Sequence, residues 1–314
     1  MMEAARQALD YAARALGFSG VGVAPADAEQ GDELARWLEA GCHGDMVWME
    51  RHLPARLNPQ LVLPGVRTVV MLAYDYPRED ARKAPGAVAR YAQGEDYHKL
   101  LASKLADLDE TLSFYGGQQR CFSDSGPVSE RFFARLAGLG WRGRNGLLVR
   151  PKGGSYCFLS CILTTLNLPV DAPMASHCGS CHRCEQACPT GAIRDGVCDA
   201  RKCLSYWTIE AKSEPPPEIR AAQGEHMYGC DACQEACPWN RLPHGRRVDP
   251  HLLMPARLAE ASPEELAALP EEAFESLFQG SPVRRIGAKH LRSNICGLAA
   301  PSSAPPALNK RSSR

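Results

Sequence analysis

The chain has 314 residues, 45% hydrophobic and 23% charged, with 36 Lys+Arg, 36 Asp+Glu and a formal net charge of zero. That composition is globular and leaves room for more than one domain. Zero net charge excludes a polycation that binds nucleic acid along its whole length, so any RNA or DNA surface must be a local patch.

No run approaches the ~18 consecutive apolar residues of a membrane span. The N-terminus carries Glu3 and Asp10 and no apolar core run, so it does not read as a signal peptide. Ala5, Leu9, Ala12 and Leu16 instead form one stripe of a helix over 1–17. Residues 20–24 predict a short strand, 32–40 a helix ended by Gly41, and 46–52 another helical turn or two. Leu63-Pro64-Gly65 marks a turn before a buried strand at 67–74. A charged loop follows at 77–85. Leu101, Leu105, Leu108 and Leu112 keep a helical period through 98–114, which Gly116-Gly117 closes. Residues 119–122 predict a strand, 124–127 a turn, 128–137 a helix, 141–146 a Gly- and Arg-rich loop, and 147–149 and 156–166 strands. The overall expectation is α+β, with a mixed α/β domain over 1–168. A linker at 169–173 opens a cysteine-rich module that runs to 245, with a helix at 201–210 and a loop at 214–217. Helices are expected within 246–297 (263–269, 271–278 and 284–296), then a Pro/Ser/Ala-rich disordered tail at 298–314.

The module carries the chemistry. Cys178, Cys181, Cys184 and Cys188, followed by Pro189, form C-x2-C-x2-C-x3-C-P, the bacterial-ferredoxin run for a four-iron cluster. A partial copy follows at Cys230, Cys233 and Cys237, again with Pro after the last. It lacks one thiol, which Cys203 supplies. In two-cluster ferredoxins the Cys before Pro ligates the other cluster. One set of four is then Cys178, Cys181, Cys184 and Cys237, and the other is Cys188, Cys203, Cys230 and Cys233. The alternative is a pair of structural zinc sites, which also use C-x2-C steps. Third cysteines at this spacing, with Pro after the fourth, favour iron–sulfur. Cluster thiols need a reducing compartment, hence the cytoplasm. The other six cysteines (Cys42, Cys121, Cys157, Cys161, Cys198, Cys296) read as buried free thiols.

Such a module moves single electrons, and the residues before it must hold their destination. They contain no G-x-G-x-x-G after a strand and no P-loop. The one Asp-x-His string, Asp96-Tyr97-His98, lacks the trailing Gly of the cobalamin-binding Asp-x-His-x-x-Gly motif. The residues alone do not name the acceptor.

Over about 40–296 the chain resembles the epoxyqueuosine reductases. The resemblance is carried by Arg56-Leu-Asn-Pro-Gln-Leu-Val-Leu-Pro-Gly65, Tyr91-Ala-Gln-Gly-Glu-Asp-Tyr-His98, Asp124-Ser-Gly-Pro-Val-Ser-Glu130, Trp141-Arg-Gly-Arg-Asn-Gly146, Cys188-Pro-Thr-Gly-Ala-Ile193, Cys203-Leu-Ser-Tyr206 and Tyr228-Gly-Cys-Asp-Ala-Cys-Gln-Glu-Ala-Cys-Pro-Trp-Asn240. It implies an oxidoreductase that finishes queuosine at the tRNA wobble position, with electrons passing through two [4Fe-4S] clusters to a cobalamin. It also implies two partners, tRNA carrying epoxyqueuosine in its anticodon loop and an external low-potential electron donor. No membrane partner is expected, and the chain is expected to be a monomer. By its place in the motif Asp124 is the proton donor. Tyr97 and His98 would then line the site, and Arg56, Asn145 and Ser205 would contact the cobalamin. No protein histidine is expected on cobalt.

Each of these residues has an ordinary reading beside that one. An ordinary Asp, with a pKa of about 3.9, is ionised at neutral pH, and burial beside the apolar corrin face that the resemblance implies could raise Asp124 by up to ~3–5 units. Otherwise Asp124 makes an Asx-turn, His98 a cap, and Glu130 an N-terminal-turn or helix-surface residue. Arg241, Arg246, Arg247, Arg284, Arg285, Lys289 and Arg292 are candidates for an RNA patch, against a simple solvated face. Trp207 and Trp239 read as packing over the clusters. Many members of the resembled family continue into a helical-repeat domain that helps hold tRNA, which this sequence does not show. Two alternatives remain: a corrinoid reductive dehalogenase acting on a small molecule, and a ferredoxin-type electron carrier.

Overall fold

The computed structural model describes residues 1–77, 86–241 and 249–298. Residues 78–85 of the expected charged loop, Arg246, Arg247 and nearly all of the expected tail lie outside the described residues.

Thr68–Asp75 is apolar on both sides, and every residue but the last is buried. Such a run belongs in the middle of a covered sheet. It is the second strand, β2, after β1 (Gly20–Pro25) and before β3 (Gln119–Phe122) and β4 (Cys157–Thr164). The sheet order is β1-β2-β4-β3. All three pairings are antiparallel, with Val23 opposite Val70 and Val70 opposite Ile162. The mixed α/β expectation therefore narrows to an antiparallel sheet with helices on it.

Alternation along β2 divides the core in two. Val70, Leu72 and Tyr74 face a cluster built with α1 (Met2–Ala15) and α2 (Tyr97–Ser113), whose Leu9, Leu101, Leu105, Leu108 and Leu112 are buried there. Val69, Met71 and Ala73 face the opposite cluster, with Phe133 and Ala134 of α3 (Glu130–Leu136). Helix α3 ends hard against β1: a Cβ on Gly22 would stand 2.1 Å from the Ala137 carbonyl oxygen. Leu108 is fully buried. Leu108→Ala is expected to lower stability by about 2–5 kcal/mol, measured as a lower denaturation midpoint at unchanged m-value.

The remaining elements are short. The expected 201–210 helix is broken into a 3-10 turn, Ala200–Lys202, and a helix, Leu204–Ile209. Cys203 sits at the break with extended backbone, φ −80 and ψ 125, so its thiol leaves the helix axis. Residues 141–146 are not all loop, because Trp141–Arg142 pairs with Leu148–Val149. The 214–217 loop leads into an unexpected helix, Pro217–Ala222, with Pro at its permitted first position. The helix expected from 284 starts at Gly287, whose φ of +71 separates it from a 3-10 turn at Pro282–Ile286.

The cysteine module is tied back to the sheet domain. His226–Tyr228 pairs in parallel with Ala87–Val88. Arg90 bonds Asp231 at 3.1 Å and Glu235 at 2.6 Å. Tyr74 donates to Asp249 at 2.6 Å, and Leu252 joins the α1–α2 core. These ties bring Cys230 and Cys233 against the sheet domain, which opens a cleft between them.

Candidate active site

The cleft has a volume of about 1330 Å³, above the roughly 300–1,000 Å³ of an ordinary small-molecule site. Arg56, Tyr97, His98, Asp124, Asn145 and Ser205 all line it. So do Cys188, Cys203, Cys230 and Cys233, whereas Cys178, Cys181, Cys184 and Cys237 do not.

One wall is an acid–base cluster. Asp96 caps α2 through the His98 N–H and also meets His98 Nδ1 at 2.7 Å. Tyr97 donates to Asp124 Oδ2 at 2.7 Å, and its ring stacks at 4.1 Å on both Phe158 and His98. His98 Nε2 lies 3.7 Å from Asp124 Oδ2. Asp124 takes the left-handed conformation, φ +61, and its N–H donates to Glu130 Oε1 at 2.8 Å. The Asp124 carboxylate is thus directed at Tyr97 and His98, with its side chain 63% exposed to the cleft. Glu130 is in the first turn of α3 as expected, but it is half-buried and holds the Asp124 loop, so it is no plain surface residue.

His98 beside the carboxylate, and then the Tyr97 hydrogen bond, hold Asp124 below the ordinary carboxylate range, against the opposing effect of burial. Both favour the charged form of this carboxylate. Asp124 and then Asp96 push His98 up to about 9. Burial, followed by the charge of Asp124, pushes Glu130 up to about 8. His98 and Glu130 therefore hold their protons to higher pH than ordinary side chains of their kind.

The other wall is thiol. Burial first, and then neighbouring groups, push up the thiols of Cys230, whose neighbours include Cys203 and Cys188, and of Cys233, whose neighbours include Cys230 and Cys203. Separately, Cys178 and Cys181 act on Cys237, and Cys237 on Cys184. Cys184 also acts on Cys233, so the two sets adjoin.

The sequence missed Cys198. It lines the cleft close enough to Cys203 that its own thiol is pushed up and that of Cys203 down. The hairpin Ile193–Arg194/Val197–Cys198 carries it there, and only the C-x4-C spacing to Cys203 hinted at it. Of the six cysteines read as buried, only Cys161 is fully so, and Cys296 is exposed. Among the RNA candidates, Arg284 and Arg285 line the cleft and pair with Glu275 and Glu210. Arg292 instead donates to the Ala267 and Leu269 carbonyls, a structural role. Trp239 packs edge-on against Trp141, while Trp207 donates to the Arg201 carbonyl.

A paired iron–sulfur motif opening on a deep cleft with an acid–base cluster defines an electron-fed reductase. The chain is 43% identical over 301 residues to the epoxyqueuosine reductase of Gloeobacter violaceus, covering 90% of this chain and 92% of that one. It belongs to the epoxyqueuosine reductase family. The Escherichia coli K12 epoxyqueuosine reductase is 41% identical over 295 residues, covering 88% of this chain and 75% of the relative. Residues 56–125 match the family model described as "Epoxyqueuosine reductase QueG, DUF1730", and 177–240 match "4Fe-4S double cluster binding domain". A crystal structure of an epoxyqueuosine reductase with a tRNA-Tyr epoxyqueuosine-modified stem loop superposes with a TM-score of 0.84 at 29% identity. That match covers 93% of this chain and 80% of the other. No helix among the described residues is long and apolar enough to cross a membrane.

Proposed function

We propose that this chain reduces epoxyqueuosine to queuosine at the tRNA wobble position, the last step of queuosine biosynthesis, with Asp124 delivering protons inside the cleft. One observation carries the reading: the Asp124 cluster and four cluster cysteines line the same cavity. Cobalamin suits that cavity in size. It also suits two buried donors on its wall, Arg56 Nε and Asn145 Nδ2, which have no partner among the described residues and match the amide and phosphate acceptors of that cofactor. The cluster ligands are Cys178, Cys181, Cys184 and Cys237 in one set, and Cys188, Cys203, Cys230 and Cys233 in the set facing the cleft. Electrons from an external donor enter at the former set and leave from the latter.

Removing an epoxide oxygen as water, leaving an alkene, consumes two electrons and two protons. Bound cobalamin and the two clusters supply the reducing equivalents. The protein's part is to hold the cyclopentane ring, exclude water and deliver protons. Asp124 is the carboxylate that reaches into the cleft, and His98 is the nearest stored proton. As charge develops on the departing oxygen, His98⁺ protonates Asp124, and Asp124 protonates the oxygen; the second proton takes the same path after His98 is reprotonated from solvent. Tyr97 fixes the carboxylate while this happens.

The reading is tested by anaerobic turnover of epoxyqueuosine-containing tRNA with a chemical reductant, followed by nucleoside mass spectrometry. Queuosine is the expected product, and absence of conversion by enzyme loaded with iron and cobalamin refutes the reading. Its pH profile is a second test. His98 rises from an ordinary 6.5 to about 9 on folding, so its charge is complete below 6.5 and is lost as pH passes about 9. Turnover should hold through neutral pH and fall on the alkaline side, with Glu130 sharing the limb because the cluster titrates as a unit. A profile flat to pH 10 would remove His98 from the proton path.

A further inference from the structure

We propose that Trp141 sets the reduction potential of the outer cluster by donating its indole N–H to the sulfur of Cys178. The inference rests on reading Cys178 as a cluster ligand, so the Sγ atom stands for the thiolate bound to iron. Trp141 Nε1 lies 3.4 Å from Cys178 Sγ. The indole N–H is a donor only.

Three features make this a built contact. Trp141 is 1% exposed, so water does not compete for the N–H. Its backbone is fixed in the two-residue pairing of Trp141–Arg142 with Leu148–Val149. Its ring is clamped edge-on between Trp239, at 4.9 Å, and His177, at 5.0 Å. The backbone next to Cys178 is held as well, where Arg144 donates to the Gly179 carbonyl at 3.1 Å.

The consequence has a sign. Reduction adds one negative charge to the cluster, shared over its sulfurs. A donor aimed at one of those sulfurs stabilises the reduced state more than the oxidised one, which raises the potential. The inner set also has a donor, from the Ala192 backbone N–H to Cys188 Sγ at 3.2 Å. That one is peptide and unaffected by side-chain change. The Trp141 donor is a side chain, so sequence can adjust the outer cluster independently of the inner one and bias which holds the incoming electron.

The test uses the iron-loaded full chain as wild type, as Trp141→Phe, and with Trp141 replaced by β-(3-benzothienyl)alanine, which keeps the ring shape and puts sulfur where the N–H was. Each is titrated anaerobically with redox mediators and followed by electron paramagnetic resonance, with iron counted. The outer-cluster signal is assigned from the Cys198→Ser/Cys203→Ser double variant, which removes the inner cluster. The expected result is a more negative outer-cluster potential in both replacements, an unmoved inner cluster, and full iron content. If Trp141→Phe loses iron, the benzothienyl protein decides. Unchanged potentials at full iron overturn the proposal. So does an equal shift in Trp239→Phe, which leaves the Trp141 hydrogen bond in place and disturbs only packing. A wild-type protein without two four-iron clusters would instead refute the ligand assignment on which the proposal rests.

Discussion

Asp124→Asn is expected to lower turnover of epoxyqueuosine-containing tRNA by about 10²–10⁴-fold, the usual contribution of a positioned acid–base group. Iron content and cobalamin binding should remain at wild-type levels. Asn tolerates the left-handed backbone at φ +61 nearly as well as Asp. The Asp124 N–H bond to Glu130 involves only backbone at this position, so the loop keeps its anchor. Tyr97 can still donate to the amide oxygen. What Asn cannot do is take a proton from His98 and pass it on. A second readout is independent of activity. Asp124 is the largest cause of the raised His98 value, so the His98 ring should titrate below about 9 in the variant. Wild-type turnover, or an unmoved His98 titration, would show that Asp124 does not hold this proton.

Cys203→Ser is expected to remove one of the two clusters, about four of eight iron per chain, and to abolish tRNA turnover while leaving the outer cluster in place. Cys203 stands alone between two cysteine runs, at a break between a 3-10 turn and a helix. Its neighbour Cys198 complicates the experiment, because a thiol beside Cys203 on the same cleft wall is well placed to replace it as ligand. The Cys198→Ser/Cys203→Ser double variant removes that possibility. Eight iron in the double variant would refute the assignment of Cys203. Four in the double but eight in the single would identify Cys198 as a substitute ligand.

Much of this was legible in the sequence because it depends on local order. The ferredoxin runs are spacing rules within a few residues, and a cluster has few other ways to gather four thiolates. The Leu101–Leu105–Leu108–Leu112 period specified α2, and the unbroken apolar run at 68–75 specified the central strand, because each pattern has one stable way to bury itself. The errors occurred where neighbours distant in sequence decide the outcome. The Trp141–Arg142 strand exists only because Leu148–Val149 lies opposite. Cys198 looked like one more free thiol until a hairpin carried it to Cys203. Arg292 read as a solvated residue, with an RNA contact the alternative, but two carbonyls 23 and 25 residues away hold its guanidinium.

The Asp124 site marks the division most clearly. The sequence alone pointed to a double-cluster module, which the family match over 177–240 bears out, and, through the resemblance of its motif, to Asp124, which the structure places on the cleft wall. Only the tertiary structure decided the protonation pattern. Bringing Tyr97 and His98 from the start of α2, and Glu130 from the start of α3, around one carboxylate lowers its proton affinity and raises theirs. The reason is electrostatic: a carboxylate's pKa depends on how many donors and charges stand within a few ångströms, and no local pattern of residues encodes that arrangement.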